Sequence, residues 1–198
     1  DYQDFTVRLA SALKKTGCKC LAWCLMPNHF HLLLMRGNRP LSELMRRLMT
    51  GYAVYFNIKH KRAGHLFQNR YKALLCDEEE YLLELVAYIH LNPLRAKMVE
   101  TLEELNKYSW CGHGSLMGKS AVGFIERDYV LGHFGTKEKG AEIKYDVFMQ
   151  EHVGKHKSGA YSGGGLIRSM GGLSNVLAAR RSGERERFDE RVMGHGEF

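Results

Sequence analysis

His29 and His31 stand two residues apart in the run MPNHFHLLLM, residues 26–35. Side chains of a strand alternate between faces, so both imidazoles point one way while Phe30, Leu32 and Leu34 point the other. The apolar face can pack on helices while the imidazoles line a cleft. Two imidazole nitrogens so placed suit one divalent cation. Two ligands hold a metal poorly, so a third donor has to come from elsewhere. With neutral donors the cation stays open to phosphate oxygens, which is what Lewis-acid chemistry at phosphorus requires. The same spacing also fits two hydrogen-bonded histidines on a partly exposed strand. The histidine-triad hydrolases need a third alternating histidine, and that place holds Leu33.

A second constellation lies in AYIHLNPLRA, residues 87–96. Tyr88 and Asn92 are four residues apart and share one face of a helix. The carbonyl oxygen of an asparagine can serve as third ligand to a hard cation such as Mg²⁺ or Mn²⁺. A tyrosine one turn earlier can then aim its hydroxyl at a polarised phosphate, and tyrosine is an established type of covalent nucleophile. Its free pKa of about 10 means that it needs a nearby cation or acceptor to help. The structural alternatives are a core aromatic for Tyr88 and a helix C-cap for Asn92. His65 and His90 are further imidazoles near this cleft. His90 points about 200° away from Tyr88 around a helix and so is a poor ligand.

These side chains need elements to position them. Residues 2–16 carry Phe5, Leu9, Ala12 and Leu13 at helical spacing, with Gly17 as a stop. Residues 18–26 and 29–36 read as a hairpin around Pro27 and Asn28. Ser42 is expected to cap a helix over 42–60, and residues 65–76 to form a third strand. A helix over about 78–91 opens on acids and ends before Pro93. Residues 112–123 are rich in Gly and Ser and read as a loop. Helices are expected over 126–134, 138–152 and 173–181. The chain is expected to divide into a main domain, 1–117, and a Gly-rich helical extension, 118–198.

Composition narrows the partner. The chain of 198 residues has a formal net charge of +7 and a pI near 9.2. From Arg36 to Lys72 there are nine Lys or Arg against one acid, Glu43. Charge gathered in one block attracts phosphates better than the same charge spread evenly. Arg46, Arg47, Lys59, Lys61 and Arg62 suit phosphates rather than bases. Phe67, Gln68, Arg70 and Lys72 in RAGHLFQNRYK add stacking and base-edge groups suited to single strands. Core packing is the alternative for Phe67. The five cysteines are odd in number and three cluster near one strand, which speaks against a disulfide framework and for a reducing cytoplasm. No apolar run reaches the roughly 18 residues of a membrane helix, and no signal peptide is visible.

The array MPNHFHLLL, GHLFQNRYK, YIHLNPLRA and YSW, in that order, resembles the REP-associated tyrosine transposases, single-tyrosine members of the HUH endonucleases. His29, Phe30 and His31 match the motif that names that group. The resemblance covers about residues 1–117. It implies an α+β fold, ferredoxin-like or RRM-like, with an antiparallel sheet and helices packed on one face. It implies that Tyr88 attacks a phosphate of single-stranded DNA beside a hairpin, forming a 5′-phosphotyrosine and freeing a 3′-hydroxyl. His29 and His31, with Asn92, are the implied ligands of Mg²⁺ or Mn²⁺, and a homodimer is compatible with the family. Relatives begin with a strand upstream of the helix at Tyr2; that strand is absent from this sequence, and its loss is expected to leave a buried sheet edge unpaired. The contrasting expectation is a non-catalytic protein, derived from a transposase, that grips hairpin or single-stranded DNA. A phosphoesterase of small molecules fits the basic block less well.

Overall fold

The computed structural model describes residues 1–73, 79–120 and 122–154. Helix α1 (Tyr2–Thr16) buries Phe5, Leu9, Ala12, Leu13 and Thr16 and stops at Gly17, which adopts a left-handed φ of 70° and donates its N–H to Leu13 O at 2.9 Å. Residues lacking a Cβ take that conformation without strain. Strands β1 (Lys19–Leu25) and β2 (Phe30–Met35) form an antiparallel hairpin, with Met26 N–H donating to His29 O at 2.8 Å around the turn. The register pairs Trp23 with Leu32, Cys24 with His31 and Leu25 with Phe30, and a bulge lies between Cys20 and Ala22.

The helical layer expected on one face of the sheet is α1 with α2 (Leu41–Lys59). Phe30, Leu32 and Leu34 join Trp23, Leu44 and Leu48 in that core. Each fully buried leucine there is worth about 1.5–3 kcal/mol of burial. The opposite face is covered too. There α3 (Glu79–His90) lays Val86, Ala87 and Ile89 against Leu21, Ala22, Cys24 and Leu33. Strand β1 is buried from both sides, so its Cys, Leu, Ala and Trp side chains run nearly unbroken.

Three local expectations are corrected. Ser42 is not the cap of α2: Pro40 precedes the helix, with its carbonyl accepting from Glu43 N–H at 3.0 Å, and a proline's fixed φ suits that place. Residues 65–73 form no strand, while 74–76 lie outside the described residues. The segment turns back on α2 instead, through Arg62 N–H to Asn57 O at 2.8 Å and Asn57 Nδ2 to Gly64 O at 2.9 Å. Phe67 satisfies its apolar surface against Phe30 and Tyr52 rather than by pairing. Nor is the free edge of β1 bare. Leu25 N–H donates to Trp110 O (2.8 Å), Gly112 N–H to Trp23 O (2.9 Å) and Glu126 N–H to Cys20 O (2.8 Å), so later segments close it.

The remaining helices are short except the last: α4 (Asn92–Arg95), α5 (Leu102–Lys107), α6 (His113–Leu116), α7 (Arg127–Gly132) and α8 (Glu138–Val153). Helix α6 falls inside the stretch read as a loop. Its small residues serve close approach: a Cβ on Gly114 would stand 2.5 Å from Asn106 O. Val130, Leu131, Ala141, Tyr145 and Met149 join the core beneath α3, so residues on both sides of position 117 share one cluster. The helix expected at 173–181 lies outside the described residues.

That core contains two buried imidazoles. Tyr145 Oη is 2.9 Å from both His90 Nδ1 and His113 Nδ1. A hydroxyl has one proton, so it donates to one ring and accepts N–H from the other. Neither Nε2 has a partner among the described residues. A charged ring there has nothing to compensate it, and burial pulls His113 down to about 4 and His90 well below its ordinary value. These groups are depressed histidines, so the unfolded chain takes up protons first. Their cost is absent above the unfolded value near 6.5 and grows as pH falls towards 4. For His113 the loss is on the order of 3 kcal/mol. Urea unfolding midpoints are expected to drop across this window, and to drop less in His113→Asn than in the parent protein.

Candidate active site

Strand β2 delivers the two histidines from its start. Their rings stand edge to face, with centroids 4.9 Å apart and planes at 90°. His29 is exposed, and its Nδ1 lies 2.7 Å from Asn28 Oδ1. An amide carbonyl only accepts, so this bond engages Nδ1 as donor and leaves Nε2 as the ring nitrogen that can face a ligand. His31 is half-buried on the face covered by α3. Desolvation, with a smaller contribution from His29, lowers it to about 4. At neutral pH it is therefore uncharged and presents a lone pair, the state a metal ligand requires.

Helix α3 brings Tyr88 to the same place. Its ring is 5.8 Å from that of His31, centroid to centroid, with planes at 81°. The phenol belongs to the half-buried rim of the core, not to its sealed interior. Thus His29, His31 and Tyr88, 57 positions apart from His31 to Tyr88 in sequence numbering, meet across β2 and α3.

The end of α3 is held by the residues that follow it. Asn92 Nδ2 donates to Tyr88 O at 2.8 Å and to Ile89 O at 3.3 Å. This is the capping role weighed for it, and it commits the amide nitrogen while the carbonyl oxygen remains to accept or ligate. Arg95 Nη1 donates to the same Tyr88 carbonyl at 3.1 Å, and its guanidinium carbon sits 5.3 Å from the Tyr88 ring centroid. Arg95 lies within YIHLNPLRA, yet the sequence reading gave it no role. The available signal was its seven-residue separation from Tyr88, two helical turns. His90 faces away from this cleft, into the bond with Tyr145.

The donor set is compatible with a divalent cation: two imidazole nitrogens and one amide oxygen, with no thiolate among these three residues to select a softer metal. Among the described residues there is no group of three or more His, Cys, Asp or Glu that could hold a metal. Among the described residues, Asn92 is the side chain singled out to supply a further oxygen.

The basic residues distribute along α2 and beyond it. Arg46 and Arg47 are exposed on its first half, where Arg47 bonds Glu43 at 2.8 Å. Lys59 bonds Asp1 Oδ1 at 2.9 Å and Tyr55 Oη at 3.1 Å. Arg62 lies over the Phe56 ring at 5.8 Å. Thirteen residues of helix separate Arg46 from Lys59, about 20 Å along the axis at 1.5 Å per residue and about 140° around it at 3.6 residues per turn, so the charge is spread along and around α2 rather than set in one line. Lys61, Gln68, Arg70 and Lys72 are exposed beside it, while Phe67 is half-buried. Sequence reading missed Arg8, whose guanidinium lies 5.4 Å from the Tyr55 ring.

No helix among the described residues is long and apolar enough to cross a membrane. No curated protein and no solved structure gives a match to the chain. One family model does match, that of the IS200-like transposases, over residues 2–92. The segment holding both histidines, Tyr88 and Asn92 is thus similar to the IS200-like transposases, a similarity that supports a transposase-type role in DNA processing.

Proposed function

We propose that this protein cuts and rejoins single-stranded DNA beside hairpins, as a REP-associated tyrosine transposase, with Tyr88 as nucleophile. The observation that carries this reading is the meeting of the His31 and Tyr88 rings, 5.8 Å apart, within one chain. Arg95 against the same phenol supports it by adding positive charge where a phosphate has to approach. The IS200-like match over residues 2–92 supports the reaction class.

In the reaction, Tyr88 Oη forms a bond to the scissile phosphorus and the bond from phosphorus to O3′ breaks. The phenolic proton leaves the tyrosine, and O3′ departs with a proton as a 3′-hydroxyl. The product is a 5′-phosphotyrosine. A second 3′-hydroxyl reverses the step, restoring the phenol and a phosphodiester. Bond energy is conserved throughout, so joining needs no nucleotide. His29, His31 and the Asn92 carbonyl would hold Mg²⁺ or Mn²⁺, which would supply positive charge to polarise a phosphate oxygen. His31, kept neutral by burial, is available for this without losing a proton. Arg46, Arg47 and Lys59 of α2, Lys61 and Arg62 just after it, and Phe67, Gln68, Arg70 and Lys72 hold the DNA backbone and bases. Because the histidines and tyrosine of one chain already adjoin, cleavage proceeds within a protomer even if the protein forms a homodimer in the cytoplasm.

A second reading, a non-catalytic binder of hairpin or single-stranded DNA, draws support from the small ligand set among the described residues. Incubation with a labelled hairpin single strand and Mn²⁺ separates the two. Cleavage gives a protein–DNA adduct that survives denaturation, whereas a shifted band without adduct supports the binder. Tyr88→Phe is expected to abolish the adduct with DNA affinity unchanged, and persistent adduct in that variant removes Tyr88 from its role. His31→Ala is expected to form no adduct at Mn²⁺ concentrations that saturate the parent, as read by metal titration. Replacing Lys61 and Arg62 by alanine is expected to weaken binding regardless of sequence. It should also reduce the slope of log K against log salt by about 0.7 for each phosphate that is no longer neutralised.

A further inference from the structure

The helix that carries Tyr88 is gripped from behind by a helix outside the family match. Tyr145 of α8 bonds His90, two residues after Tyr88, at 2.9 Å, and carries the same hydroxyl to His113 of α6, also at 2.9 Å. Two turns further along α8, His152 lies between the Phe148 carbonyl (2.7 Å) and the Glu84 carboxylate (2.9 Å), and Glu84 is one turn before Tyr88. Both attachments are polar and directional, and Tyr145 and His152 are buried. Apolar packing alone lets a helix slide by a fraction of a turn; two hydrogen bonds placed on either side of Tyr88 do not. Helix α8 is itself tied back to α6 and α7: Arg127 of α7 donates to Ser115 O at 3.0 Å, bonds Glu138 at 2.7 Å and also bonds Glu142.

We infer that α8 is a brace for the tyrosine helix, in which Tyr145 and His152, through His90 and Glu84, fix where the Tyr88 hydroxyl stands relative to the His29–His31 pair. Tyr145 and His152 touch no reacting atom; they are positioning residues. The inference rests on the reading of Tyr88 as nucleophile, and it extends the machinery past residue 92 into the part of the chain without a family match. Misplacing a nucleophile by a fraction of an ångström slows chemistry at saturating substrate while leaving substrate affinity alone.

The test uses the full-length protein, with fluorotyrosine incorporated for NMR. Tyr145→Phe removes only the hydroxyl. At saturating hairpin single strand and Mn²⁺, its single-turnover rate of adduct formation is expected to fall about tenfold, with Kd for the DNA within about twofold of the parent. Without DNA, the fluorine resonance of Tyr88, assigned by its loss in Tyr88→Phe, is expected to shift or broaden. A parental rate with an unmoved resonance overturns the brace. So does a fall in rate that is matched by an equal loss of affinity and thermal stability, the result of simple structural damage. Glu84→Met at the half-buried end, which removes the carboxylate that meets His152 Nε2, keeps the test decisive should Tyr145→Phe unfold, with an expected slowing of about threefold. If Tyr88→Phe still forms adduct, the nucleophile assignment fails, and the fluorine resonance alone decides the brace.

Discussion

The pairing of Cys24 with His31 across the β1–β2 ladder is the constraint from which the site follows. Once that register is set, period-two alternation decides everything on β2. His31, Leu33 and Met35 go to the face that α3 covers, and Phe30, Leu32 and Leu34 go to the face that α1 and α2 cover. A slip of one residue would put His31 against the core of Phe5, Leu9 and Leu44 and turn Phe30 to the cleft. Burial forbids it, because Trp23 and Leu25 need the Phe30 side and are fully enclosed there. Apolar packing that has nothing to do with chemistry thereby holds an imidazole beside a phenol.

The second constraint is the placement of α3. Its inner face is apolar and packs on β1, which sets its distance from the sheet. Its end is set by polar contacts. Asn92 and Arg95 both reach the Tyr88 carbonyl, and Cys111 Sγ lies 3.6 Å from the carbonyl of His90. The last turn of a helix has carbonyls without intrahelical partners. Here the groups that satisfy the Tyr88 carbonyl come from Asn92 and Arg95, residues proposed to work alongside Tyr88, so the same contacts cap the helix and build the site.

Much of this was legible in the sequence, for reasons that can be named. The first helix was readable because Phe5, Leu9, Ala12 and Leu13 keep strict spacing and Gly17 follows soon after. The hairpin was readable because two apolar runs, residues 18–26 and 29–36, flank Pro27 and Asn28. The expected strand over 65–76 failed in its described part because Leu66 and Phe67 looked like strand residues, whereas the aromatic surface of Tyr52 and Phe30 offered Phe67 a better burial. The closure of the β1 edge by residues 110–112 and 125–126 was invisible for a different reason: isolated bridges have no periodicity to read. Likewise His90, His113 and Tyr145 have unrelated neighbours in sequence, and only the fold brings them together.

The two faces of the sheet also bear on what kind of substrate the proposed reaction admits. The histidines and Tyr88 belong to the α3 face, whereas Phe67 and the helix α2 that carries basic residues belong to the face where Phe30 packs. A substrate that engages both has to pass around the end of the hairpin, where His29 is exposed and Phe30 and His31 diverge by one residue. A duplex is stiff over about 150 base pairs and resists so tight a turn. A single strand bends there freely, and it can leave a phosphate against Tyr88 while its neighbours follow the basic helix. On this geometry the proposed choice of single strands would follow from where the β2 alternation sends its side chains, before any base is read.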